Sequence, residues 1–214
     1  MSKLRFWISM SLDGFVAGPR QSVKEPLGVG GASLHEWVVP LAAWRESHGK
    51  PGGEVNASTA VVEENRANLG ATIMGRNMFG GHPGPWNPSQ PWKGWWGEDP
   101  PYHHPVFVLT HHAREPLVMN GGTTFNFVTE GFESALDQAR RSAGDKDVWL
   151  AGGAKAAQQY LAAGLIDEME LHQVPILLGG GERLFDGVGT DLHGLELVRT
   201  VAAPGVTHLK FARR

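Results

Sequence analysis

Short apolar runs bounded by glycine, proline or polar residues recur along this chain, and between them the apolar spacing switches to a helical period. Leu4 to Met10, bulky on both faces, predicts a central strand. Further strands follow at Leu69 to Met74, at Val106 to Thr110, at Thr124 to Val128 and at Val148 to Ala151. Thr59 to Asn68 reads as a helix with Val61, Val62 and Asn65 near one face. Phe132 to Ser142 reads as another, with Phe132, Leu136 and Ala139 inward and Arg140 and Arg141 outward. After Gly152-Gly153 comes an alanine-rich helix that Gly164 can end in a left-handed cap. Glu168 to Leu178 is a long strand carrying Pro175, and Leu195 to Thr200 with Thr207 to Phe211 form a terminal hairpin through Ala203-Pro204-Gly205. Alternating strands and helices predict an α/β domain with a mostly parallel sheet and a C-terminal antiparallel hairpin.

Three stretches resist this periodicity. Gly28-Val29-Gly30-Gly31 follows no clear strand and does not complete a dinucleotide fingerprint. Ser33 is placed to cap a helix running through Trp37-Val38-Val39, with Glu36 in the reciprocal position of a capping box, and Gly49 to Ser58 reads as a surface loop. From Gly81 to Pro105 proline and glycine forbid long regular structure, yet Trp86, Trp92, Trp95 and Trp96 must cover something. They wall a flat-ring substrate, or they form a satellite core or a subunit interface; packing is the commoner use of such clusters.

Composition narrows the classes. The 214 residues, 41% hydrophobic and 19% charged, suit one domain spanning the chain, with the tryptophan-rich segment around 80–105 as an insertion. A net charge of -3 and the lack of a polybasic run argue against nucleic acid and membrane surfaces as partners. With no cysteine, disulfides and thiolate metal sites are excluded. The N-terminal residues lack the apolar core of a signal peptide, so a cytoplasmic location is expected, and Asn56-Ala57-Ser58 carries no weight as a glycosylation sequon. The 29 glycines and 14 prolines fall in discrete patches, the mark of structured loops on a scaffold.

Those patches sit where strands end. Ser11-Leu12-Asp13-Gly14 puts an acid and a hydroxyl after the first strand, where ligands bind in open α/β sheets. Gly75-Arg76 follows another strand, and an arginine fork can hold a phosphate. His111 and Arg114 follow a third and can supply positive or donor groups. Gly152-Gly153 before a helix admits a phosphate to the free N–H groups and the positive dipole end, although such a pair also serves simply as a tight turn. Gly179-Gly180-Gly181 gives a further backbone that can lie against a ligand. A metal shared by His103-His104 and His111-His112 is disfavoured, because the intervening strand residues hold the pairs about 16 Å apart.

Ser11-Leu12-Asp13-Gly14-Phe15-Val16-Ala17-Gly18, Ile73-Met74-Gly75-Arg76, Ala151-Gly152-Gly153-Ala154 with Gly164-Leu165-Ile166-Asp167-Glu168, and Val174-Pro175-Ile176-Leu177-Leu178-Gly179 resemble, in order, segments of the dihydrofolate-reductase-like superfamily. The likeness is greatest to the reductase domain of the bifunctional riboflavin-biosynthesis deaminase-reductase. It implies a three-layer fold with NADPH across the strand ends. Gly75 and Arg76 would then lie at the adenosine-phosphate side, and Thr110 and His111 near the 2′-phosphate. Gly152, Gly153 and Ala154 would lie under the pyrophosphate, Val16 and Ala17 along the nicotinamide, and Gly179 and Gly180 would complete the wall. The chain lacks the cysteine ligands of the zinc deaminase half, and Trp37-Val38-Val39 offers no match to the acid that binds pterin in true dihydrofolate reductases. Asp13 is the candidate carboxylate for orienting substrate or handling a proton. Two readings follow: an NADPH-dependent reductase of a small heterocycle, pterin or ribosylamino-pyrimidine in kind, or a non-catalytic nucleotide-binding module. A homodimer is the expected oligomer.

Overall fold

The computed structural model describes residues 2–89 and 91–213. Its main feature is a nine-stranded sheet in the order β10-β11-β8-β1-β7-β3-β4-β6-β5. The strands are β1 (Leu4–Ser11), β3 (Leu69–Gly75), β4 (Pro105–Leu109), β5 (Leu117–Val118), β6 (Thr124–Val128), β7 (Asp147–Gly152), β8 (Glu168–Val174), β10 (Leu195–Ala203) and β11 (Val206–Arg213). From β8 through β1, β7, β3 and β4 to β6 every neighbour is parallel, whereas β11, β10 and β5 pair antiparallel at the margins. A separate two-stranded ribbon joins β2 (Phe15–Ala17) to β9 (Glu182–Arg183).

Alternation along β1 assigns the two faces of the sheet. Leu4 and Phe6 join Ile73, Val148 and Leu150 beneath α4 (Phe132–Ala143) and α5 (Ala154–Ala162), which contribute Leu136, Ala139, Ala157 and Leu161. A buried side chain such as Leu150 contributes roughly 1.5–3 kcal/mol here by leaving water. Tyr160, also fully buried in this layer, donates its hydroxyl to the Phe132 carbonyl at 2.7 Å and so ties α5 to the start of α4. On the opposite face Arg5 donates to the Glu64 and Ala67 carbonyls at the end of α2 (Ala57–Arg66), and the Trp37 indole donates to Ser9 Oγ at 3.1 Å. Leu34, Trp37, Val38, Leu41 and Val62 pack there against Val174 and Val206. Two layers of helix and turn around one sheet make the expected three-layer α/β arrangement.

Local chemistry moves several predicted boundaries. The segment after Gly30 is a 3-10 turn, Gly31–His35, rather than a capped α-helix. Ser33 Oγ meets the Glu36 carboxylate at 3.1 Å, so Ser33 spends its side chain on that acid and the capping box predicted there does not form. A capping box does form at Asn56, whose side chain accepts from Ser58 while Thr59 returns a bond to the Asn56 N–H. The second helix therefore starts two residues earlier than predicted, and left-handed Asn68 follows its end. A short α1 (Ala42–Glu46), the single turn α3 (Arg76–Phe79) and a second 3-10 turn (Asn120–Gly122) complete the helices among the described residues. Pro175 lies just past β8, since it has no N–H to give the sheet. Gly28 to Gly31 serve close packing: a side-chain carbon on Gly28 would sit 2.2 Å from the Gly18 carbonyl oxygen.

Candidate functional site

Parallel pairing brings the carboxyl ends of β1, β7, β3 and β4 to one edge. Trp37 and Arg5 show that the chain leaves β1 for one face, while α5 leaves β7 for the other, so the β1–β7 boundary is a switch point of the kind where ligands bind.

At the end of β1, Ser11 Oγ donates to Asp13 at 2.6 Å and accepts the Phe15 N–H at 3.0 Å. The Asp13 carboxylate also accepts the N–H groups of Leu178 at 3.1 Å and Gly179 at 2.7 Å. The Ser11 hydroxyl first, and then the backbone N–H groups, hold its pKa down at about 2 against the opposing cost of burial. The described bonds of the Asp13 carboxylate thus run to the protein's own loops. The carboxylate staples the loop after β1 to the loop after β8. Gly14, at φ 85, accepts the Leu184 N–H at 3.1 Å and continues the stapling. Val16 and Ala17 lie in β2 with their side chains buried, and Gly181 touches the Ala17 carbonyl so closely that a side-chain carbon there would sit 2.0 Å from it. Gly180 lies beside Pro19 on the same wall.

At the end of β7, the peptide between Gly152 and Gly153 is cis and Gly152 has φ 107. Gly153 opens α5 without any side-chain cap, so the first N–H groups of a nine-residue helix, beginning at Ala154, have no helical partners. Gly75 faces this turn across the β3–β7 pair: a side-chain carbon on it would come 3.7 Å from Gly152 O and 3.8 Å from Gly153 N. The structure thus brings Gly75 at the end of β3 beside Gly152, Gly153 and the start of α5 at Ala154.

Arg76 follows Gly75 directly, and Arg114 lies in the loop after β4. Arg76 stacks 3.7 Å above the Trp86 ring and donates to the Gly80 and His82 carbonyls, the latter at 2.8 Å. Arg114 lies 4.9 Å from both the Trp86 and Phe127 rings and donates to the Trp92 carbonyl at 2.7 Å. Neither arginine has a carboxylate partner among the described residues. Burial, and then the charge of Arg114, lowers the Arg76 pKa. Thr110 is buried and uses its hydroxyl on the His112 backbone at 3.2 Å, while His111 is exposed beside it. Two guanidiniums thus lie over one indole, each donating to backbone carbonyls and neither paired with a carboxylate among the described residues.

The histidines expected not to share a metal are separately engaged: His103 Nδ1 meets the Gly121 carbonyl at 2.8 Å and His104 Nε2 meets Thr72 Oγ1 at 2.7 Å. No group of three potential ligands occurs among the described residues. No helix among them is long and apolar enough to cross a membrane. The four loop tryptophans settle as packing. Trp86, Trp92 and Trp96 lie against Phe79, Tyr102 and Phe125, and Trp95 meets Trp92 edge-on. Two arrangements had no signal in the sequence. Trp7 and Trp149 stack at 4.6 Å across β1 and β7, and a buried chain runs from Ser58 to His208 at 2.9 Å and on to His172 at 2.8 Å.

A family model described as the RibD C-terminal domain matches residues 2–209. Among curated proteins, the uncharacterized protein YyaP of Bacillus subtilis (strain 168) is 27% identical over 107 residues, an alignment covering 48% of this chain and 56% of that protein. The chain thus matches little more than half the length of that relative. Among solved structures, a Shewanella sp. PV-4 protein named for riboflavin biosynthesis superposes with a TM-score of 0.63 at 22% identity, covering 100% of this chain and 99% of that one. Acinetobacter baumannii RibD gives 0.59 at 18% identity, covering 100% of this chain and 58% of that one. A Thermotoga maritima protein named diaminohydroxyphosphoribosylaminopyrimidine deaminase/5-amino-6-(5-phosphoribosylamino)uracil reductase gives 0.58 at 13%, covering 100% and 57%.

Proposed function

The chain belongs to the RibD C-terminal domain family, and from that premise we propose that it is an NADPH-dependent oxidoreductase acting on a C=N or C=O bond of a small heterocycle, pterin or ribosylamino-pyrimidine in kind. The observation that carries the cofactor is the pair Arg76 and Arg114, uncompensated by any described carboxylate, with Arg76 directly following Gly75 where it meets the Gly152-Gly153 turn. The residues fit a dinucleotide phosphate: open backbone N–H groups for a pyrophosphate, and a doubly positive stack for a further phosphate.

When bound, NADPH supplies the hydride. The protein's share is position and dryness. Val16 and Ala17 form an apolar buried wall at the end of β1, and Asp13 fixes the loop that carries them against Leu178 and Gly179. With its carboxyl held at about 2 by the Ser11 hydroxyl and then the Gly179 and Leu178 N–H groups, Asp13 is suited to hold the loop rather than to donate the proton that completes reduction. Amino-pyrimidine substrates of the kind named for the Thermotoga relative belong in the screen.

The test is a fluorescence titration with NADPH and NADH, followed by turnover with pterins and amino-pyrimidines. Binding that prefers NADPH, with substrate-dependent oxidation of it, is expected. NADPH binding without turnover of any such heterocycle would leave a nucleotide-binding module, and absence of binding would refute the cofactor map.

A further inference from the structure

A cavity of about 330 Å³ opens on the Trp37 face of the sheet, beyond β1 and away from the arginine pair. It lies between the turn that carries Ser33 and Trp37, the end of β8 and the turn joining β10 to β11. Its size is at the lower end of small-molecule sites. The walls are apolar: Trp37, Pro40, Pro175, Ile176 and Pro204. Trp37 spends its N–H inward on Ser9 and packs against the His172 and His208 rings at 4.8 and 5.0 Å, so what it offers the cavity is the remaining apolar part of its side chain.

The ionisable groups lining the cavity among the described residues are the carboxylates of Glu36 and Glu54. No lysine, arginine or histidine lines it, and neither acid forms an ion pair among the described residues. Glu36 receives one hydrogen bond, from Ser33, whereas the described hydrogen bonds of Glu54 are made by its backbone, to Pro40 and Ala42. An apolar, aromatic-walled recess with two unpaired carboxylates is complementary to a flat ring that carries positive charge or several N–H donors. Anions, phosphorylated compounds included, meet only repulsion here.

We infer that this cavity is a binding site for a small ring-bearing organic cation, an amine- or amidine-substituted ring held between Trp37 and the prolines with its charge toward Glu36 and Glu54. The inference goes beyond the reductase reading, since binding stands or falls without cofactor or turnover. It bears on that reading through one strand: Val174 pairs in register with Ser11, and the Ile176 carbonyl accepts the Leu12 N–H at 2.9 Å. An occupant therefore rests on the segment that leads to the Asp13 staple.

Benzamidine, benzamide and benzoate, equal in shape and unequal in charge, test it in an NMR titration. The reporter is the Trp37 indole N–H signal, assigned by its loss in Trp37→Phe. Benzamidine is expected to shift that signal with a dissociation constant roughly in the millimolar range for so small a ligand. Benzamide should bind about tenfold more weakly and benzoate not measurably, as two solvent-facing charge pairs allow. In the Glu36→Gln, Glu54→Gln double variant the preference of cation over neutral amide should fall to about one. Both substitutions keep side-chain shape at exposed positions, so folding is retained. Equal binding of benzamidine and benzamide to the unaltered protein would overturn the inference. So would a cation preference that survives the double variant, or an unmoved Trp37 signal at saturating benzamidine.

Discussion

Replacing Arg114 by glutamine isolates the anion site, because the substitution removes a charge while keeping a side chain that can still reach the Trp92 carbonyl. Arg114 and Arg76 both lie over the Trp86 ring, and neither has a carboxylate partner among the described residues. A charge-assisted hydrogen bond from a guanidinium to a phosphate is worth about 1.5–3 kcal/mol. The site is half exposed, so the lower end applies, and NADPH affinity should fall about tenfold. Part of any loss comes from loosening the loop that Arg114 holds through Trp92 at 2.7 Å. That part weighs equally on NADH, which lacks the extra phosphate, so the NADPH-to-NADH ratio is the quantity to read. Parallel titrations by tryptophan fluorescence at low and moderate salt give it. The ratio should drop about tenfold at low salt and lose much of its salt dependence. A ratio unchanged by Arg114→Gln, with both nucleotides weakened alike, would refute the assignment of this pair to a phosphate. Arg76→Ala should behave differently and lower both affinities, because Arg76 also holds the Gly80 and His82 carbonyls.

The remaining expectations concern the staple, the helix layer and the buried histidines. Asp13→Asn should lower kcat/KM for reduction by roughly 10- to 100-fold through misplacement of its loop. The pH profile between about pH 5 and 9 should keep its shape, because a carboxyl held near 2 does not titrate there; a vanished ionisation in the variant would reinstate proton handling. Tyr160→Phe leaves the Phe132 carbonyl without its donor in a buried layer and should cost about 1–2 kcal/mol in urea unfolding; an unchanged midpoint would show that the bond contributes nothing net. Burial, and then the Arg199 charge, lowers His208 to about 4, and burial holds His172 well below its ordinary value. Both are bases depressed on folding, so their contribution is complete above about pH 6.5 and is lost as pH falls from there towards 4. Urea midpoints should decline over that interval, and a His172→Gln, His208→Gln variant should flatten the decline; an unaltered slope would place the acid sensitivity elsewhere.

What the sequence disclosed was local. A strand's end, a glycine at it and a charged residue one step on are adjacent in the chain, and Gly75-Arg76, Gly152-Gly153 and Asp13-Gly14 were legible for that reason. The order of segments was enough to identify the family-level fold. Competing local bonds misled: Ser33 offers a cap signal as good as that of Asn56, but it is Asn56 that caps, with Thr59 reciprocating, while Ser33 turns to Glu36. Pairings over long separations carried no signal. Asp13 meets Gly179 from 166 positions away, and Ser58 meets His208 from 150. No periodicity marks either end of such a bond.

The tryptophan loop shows how packing sets chemistry. Three of its indoles act as anchors: Trp86 donates to His112 O at 2.7 Å, Trp92 to Phe79 O at 2.8 Å and Trp95 to Met78 O at 3.0 Å. Those carbonyls belong to the turn after β3 and the loop after β4, where Arg76 and Arg114 arise. Gly80 is required at the contact, because a side-chain carbon there would lie 2.4 Å from the Trp95 ring and the backbone has φ 85. The loop thus holds two otherwise flexible cations over one indole, Trp86. A guanidinium ordered before a ligand arrives loses less entropy on binding it. The indoles of this loop therefore serve as packing, the commoner of the uses open to them in the sequence, and in doing so they hold the two arginines proposed to meet the cofactor's phosphate.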